Sequence, residues 1–106
     1  MYAIRIQFRR SRADCGELTA TVLREALSEG LARAAPTPCG LEELVSRTDD
    51  VQGLLDAIAF VQAPSLLGAE SAVRDTCLEG PAHRPAFLGW TLTCCEADFM
   101  LTVKLL

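Results

Sequence analysis

Five cysteines (Cys15, Cys39, Cys77, Cys94 and Cys95) and a single histidine, His83, are the residues of this chain best suited to nucleophilic or metal chemistry. Cys15 follows Asp14, a residue suited to cap a helix, and a helix N-terminus stabilises a thiolate. Arg10 and Arg12 lie a few residues upstream and would add to that effect. A thiol nucleophile also needs a general base. His83 is remote in sequence, in a proline-bearing loop, and the Asp14 carboxylate opposes ionisation of its neighbour. Cys15 therefore reads as an ordinary cysteine at a helix start. Adjacent residues on a strand point to opposite faces, so Cys94 and Cys95 cannot readily chelate one metal together. No pair is spaced C-x-x-C, and Cys39, Cys77 and His83 stand at no ligand spacing. No catalytic residue, metal site or cofactor is predicted.

Carboxylates crowd residues 42–56, where Glu42, Glu43, Asp49, Asp50 and Asp56 face only Arg47. Asp49 and Asp50 fall where a helix would begin, a position that stabilises the positive helix end. Paired acids for hydrolysis would need a cleft that separates their pKa values, and the pattern supplies none. The seven glycines are scattered, so no phosphate-binding loop is present. The opposite charge gathers in residues 1–12, with Arg5, Arg9, Arg10 and Arg12 and no acid. The formal charge of the whole is −4. That balance argues against general affinity for nucleic acid, which needs clustered cations.

These side chains are positioned by elements whose periods can be read. Residues 2–9 alternate, with Tyr2, Ile4, Ile6 and Phe8 on one face, the mark of a half-buried strand. Residues 98–105 alternate likewise through Phe99, Leu101, Val103 and Leu105. Residues 87–95 precede them, with Trp90, Leu92 and Cys94 on one face and Thr91, Thr93 and Cys95 on the other. A turn near Glu96-Ala97 would join the two as a hairpin. Between the ends, Asp14 and Glu17 offer a capping box. From Leu18 to Ala34, apolar residues recur at three and four, predicting the first helix. Pro36 to Gly40 is a loop, and Leu41 to Arg47 reads as one or two helical turns. Val51, Leu54, Leu55, Ile58 and Val61 then predict a second helix, capped by Asp49 and stopped by Pro64. Ser65 caps a weaker helix over residues 66–78, and Glu79 to Pro85 reads as a loop.

The expected fold is a single α+β domain over residues 1–106. It has two layers: a three-stranded sheet, from the N-terminal strand and a C-terminal hairpin, covered on one face by three to four helices. Its open face would carry Ala3, Arg5, Gln7 and Arg9, then Thr91, Thr93 and Cys95, then Met100, Thr102 and Lys104. Tyr2, Phe8, Trp90 and Phe99 fall on the core side, which disfavours RNA readers that stack bases on an open sheet. The odd cysteine count and the lack of an export signal point to a reducing, cytoplasmic setting. The longest apolar run, Ala57 to Val61, is too short to span a bilayer. The expected role is binding another protein, as an inhibitor, an immunity or antitoxin-type partner or an accessory subunit, with self-association as one form of it. The expected contact residues are Arg5, Arg9, Met100 and Thr102 on the sheet, or Glu42, Glu43, Asp49 and Asp50 on the acidic stretch. A nucleic-acid module using the arginine-bearing first strand is the alternative.

Overall fold

A computed structural model describes residues 1–11 and 16–104. The chain runs β1 (Tyr2–Arg10), α1 (Ala20–Ala32), β2 (Gly40–Asp49), β3 (Leu54–Gln62), α2 (Leu66–His83), a 3-10 turn over Pro85–Phe87, β4 (Trp90–Ala97) and α3 (Phe99–Lys104). One four-stranded sheet has the order β2-β3-β1-β4, and every neighbouring pair is antiparallel. Strands β1 and β2 both oppose β3, so they run parallel with β3 between them. Strands β3 and β4 flank β1 in the same way. This is the split βαβ arrangement, two crossover units whose strands interleave.

The expected three-stranded sheet is therefore corrected, among the described residues, to four strands with three helices. Two predicted helical regions form its missing half. Leu41 to Arg47 is extended within β2, and most of the predicted second helix is β3. The stretch Leu54–Gln62 carries apolar residues on both faces, so helical and alternating periods both fit it. Its burial alternates strictly, with Leu55, Ala57, Ala59 and Val61 in the core. The side-chain oxygen of Asp49 does accept from the N–H of Gln52, at 3.0 Å, as a helix cap would. Here that bond closes the β2–β3 turn instead, and Gly53 completes it at φ +67°.

The C-terminal strand expected over residues 98–105 is also corrected over its described part, Leu105 lying outside the described residues. Phe99–Lys104 is a helix, entered through Asp98, whose carboxylate accepts from the N–H of Leu101. Strand β1 has two sides, and β3 and β4 fill both. The first helix starts later than the capping box implied: Thr19 caps α1 by accepting from the N–H of Val22. Arg12, Asp14 and Cys15 lie outside the described residues. Ser65 caps α2 as expected, but α2 continues through Gly80 and Pro81 to His83, where a loop was predicted.

The core lies between one sheet face and α1 with α2. Ile4, Ile6 and Phe8 of β1 meet Leu23, Leu27 and Leu31 of α1 and Val73 and Cys77 of α2. Phe87 stands edge-on to Phe8, with ring centroids 5.6 Å apart. Two glycines permit the close approaches. A Cβ at Gly30 would strike Thr76 across the α1–α2 contact, and one at Gly80 would come within 2.8 Å of the Phe87 ring.

Candidate interface on the open sheet face

Cross-strand neighbours share a face, so the strand register writes out the open surface in rows. One row is Val45, Ile58, Arg5 and Glu96, and the next is Arg47, Asp56, Gln7 and Cys94. Glu43, Phe60 and Ala3 lie on one side of this pair, where Ala3 is fully buried rather than open as expected, and Asp49, Leu54, Arg9 and Thr91 lie on the other. A shallow depression of about 600 Å³ in the middle is lined by Arg5, Gln7, Val45, Arg47, Asp56 and Ile58. The Gln7 amide donates to Asp56 at 2.8 Å and accepts from the Thr93 hydroxyl at 2.9 Å. That chain of bonds holds the floor of the depression across three strands.

Arg5 and Arg9 stand exposed on this face, as expected. Glu43 and Asp49 share it, although sequence placed them on a separate helical surface. Glu42 is the extra residue of a bulge between Leu41 and Glu43 and is exposed on β2. Asp50 is exposed in the β2–β3 turn, where its carbonyl accepts from Arg10. The face thus mixes Arg5, Arg9 and Arg47 with Glu43, Asp49, Asp56 and Glu96. It is neither a cationic stripe nor an acidic patch.

Met100, Thr102 and Lys104 do not belong to the sheet, because all three are on α3. Thr102 is buried, and its hydroxyl accepts from the N–H of Ala3 at 3.1 Å. It closes the end of β1 and is not a contact residue. Met100 remains a surface residue at 70% exposure, with Phe99 beside it at 66%. A helix that rests on the Ala3 end of β1 carries both.

The two adjacent cysteines exchange their expected faces. Opposite Gln7 and Phe8 the pairing skips Thr93, so β4 carries one extra residue there. A bulge of this kind inverts the alternation beyond it. Trp90 and Leu92 pack on the core before the bulge, and Cys95 and Ala97 after it, leaving Cys94 on the open face. Burial raises the Cys94 thiol pKa, and Glu96 adds to the rise while Arg5 opposes it. Cys95 is pushed up to about 11, first by burial. Cys77 is raised further, again mainly by burial. These thiols are held protonated, the opposite of an activated nucleophile.

Sequence reasoning missed Val45, Ile58 and Phe60, because it coiled their segments into helices. The signal that could have found them is the alternation of Leu55, Ala57, Ala59 and Val61, small or branched residues with one carboxylate between.

A second concavity of about 1020 Å³ lies between α1 and α2, bordered by Glu29, Arg33, Asp75, Glu79, His83 and Arg84. Arg84 already pairs with Glu29 at 2.6 Å. Among the described residues, no buried side-chain polar atom lacks a partner and no three His, Cys, Asp or Glu side chains gather around a metal position. His83 is exposed at the last turn of α2. No described helix is long and apolar enough to cross a membrane. No protein-family model matches the chain, and no curated protein or solved structure matches it either.

Proposed function

We propose that this chain is a non-catalytic protein-binding domain of the inhibitor, immunity or accessory-subunit class, and that it docks its partner on the open sheet face. The observation that carries this reading is the apolar cluster of Val45, Ile58 and Phe60 on that face. Val45 is half exposed and the other two are half buried, with Arg5 and Arg47 beside them. An apolar centre ringed by arginines and carboxylates is the anatomy of a protein interface. Four unpaired cysteines among the described residues fit a reducing, cytoplasmic setting.

The test is partner capture from the native host with the wild-type chain, followed by affinity measurement on Ile58→Asp and on Arg5→Glu with Arg47→Glu. Loss of at least tenfold in affinity with an unchanged melting temperature is expected. Unchanged affinity in both variants removes the open face from consideration.

Phe60 supports a second reading, because it places one aromatic ring on the open face diagonal to Arg5. A base could stack there, though Asp56, Glu43 and Glu96 repel the phosphates. Tight binding of single-stranded RNA or DNA that falls steeply with salt would replace the protein-binding reading with this one.

A further inference from the structure

We propose that two copies of this chain pair antiparallel through β2, about a two-fold axis at Val45, and join their sheets into one of eight strands. Strand β2 is an outer strand of the sheet, and its outward backbone groups can be identified. The Arg24 guanidinium, reaching from α1, donates to the Leu44 carbonyl at 3.2 Å, so the Leu44 peptide groups face away from β3. Alternation along an antiparallel strand then turns Ser46 and Thr48 outward too. No described side chain or loop bonds the backbone of either residue. Residues 45–49 are exposed, so nothing described covers this edge.

The residues along the edge select a copy of themselves. With Val45 on the axis, Leu44 and Ser46 of opposite chains exchange backbone hydrogen bonds. Val45 then meets its own copy at a non-hydrogen-bonded position, where side chains come closest. Glu43 stands opposite Arg47 of the second copy, and the symmetry forms that pair twice. The neighbouring registers are worse. An axis at Ser46 opposes Glu43 to Asp49, and an axis at Arg47 opposes that arginine to itself. An axis at Leu44 makes no ion pair and brings the Glu42 bulge closer to the axis, opposite Ser46 instead of Thr48. The Leu44 carbonyl can keep Arg24 and still accept from the second copy, since it has two lone pairs. The pairing leaves both open faces on the same side of the joined sheet, and it does not depend on what binds them.

Sedimentation velocity and light scattering over a concentration series test the pairing on the full chain. A reversible dimer is expected. Ser46→Pro removes one outward donor and no bond to β3, so it should yield a monomer with unchanged far-UV CD. Glu43→Arg should weaken the dimer by roughly tenfold, because two attractions become two repulsions. Adding Arg47→Glu to that chain should restore it. Mixing single Glu43→Arg and Arg47→Glu chains should give a heterodimer stronger than either homodimer. A chain that stays monomeric at its highest soluble concentration overturns the proposal. So does a dimer indifferent to the Glu43 and Arg47 exchanges, whether or not Ser46→Pro folds.

Discussion

The two outer strands of the sheet end in opposite ways. Along β4, α2 bonds an outward N–H and an outward carbonyl. Glu70 accepts from the N–H of Ala97 at 3.0 Å, Arg74 donates to the Cys95 carbonyl at 2.9 Å, and the two side chains pair with each other at 3.2 Å. Along β2, Arg24 meets one carbonyl and the next two outward residues meet nothing described. A bare strand edge invites pairing with another chain, and proteins blunt the edges they do not use. One edge here is closed by a salt-bridged pair and the other is left able to bond. The closed side is therefore where stability concentrates, and the bare side is where association is expected.

Truncation should expose that asymmetry most strongly. Phe87→Ala, on the closed side, empties a fully buried ring site against Phe8 and Gly80 and should cost about 3–5 kcal/mol. Val45→Ala, on the bare edge, should change stability by under ~0.5 kcal/mol, since the residue is half exposed. Urea unfolding of both variants checks the contrast, and equal losses would break it.

Alkaline pH should loosen the closed side next. The pKa values of Cys77 and Cys95 are raised in the folded protein, so the folded state keeps protons that the unfolded chain releases. Their contribution is complete below the ordinary thiol value of 9.0 and is lost as pH rises through about 11 for Cys95. Melting temperature should fall across that window. Cys77→Ala and Cys95→Ala should flatten the fall, and Cys94→Ala on the open face should flatten it less.

The edge caps themselves should show the smallest difference. Glu70→Ala orphans the Ala97 N–H and should cost about 1 kcal/mol, whereas Glu70→Gln keeps an acceptor and should cost less. Arg24→Ala should be within ~0.5 kcal/mol of wild type, because the carbonyl it leaves is open to water. Amide exchange sharpens the comparison without mutation. Ala97 should be protected at all concentrations, while Ser46 should exchange fast in dilute protein and slow as copies pair.

Much of the local structure was legible in the residues. The alternation of Tyr2, Ile4, Ile6 and Phe8 marked β1, the stripe from Leu18 to Ala34 marked α1 though it overran both ends, and Ser65 marked the start of α2. The open-face positions of Arg5 and Arg9 followed from β1 alone. The rest of the surface was not legible, because it depends on which segment flanks β1. A bulge is one residue long and leaves the composition unchanged, so no pattern could announce that Cys94 and Cys95 would exchange faces.

Sequence by itself determined which stretches are apolar on one side, where several elements begin, and that no motif with catalytic or ligand spacing is present. Tertiary structure decided which of two periods an ambiguous stretch obeys. Leu54–Gln62 and Phe99–Lys104 each satisfied a pattern they did not adopt. Strand β1 has hydrogen-bonding groups on two sides, and once β4 took one, the other had to be met by a strand or left unsatisfied in the core. Segment 54–62 met it. That left the segment after β4 without a side of β1, and on the outer side of β4, the edge a hairpin would reach, Glu70 and Arg74 already bond the backbone; the helix Phe99–Lys104 satisfies its own peptide groups without a neighbour.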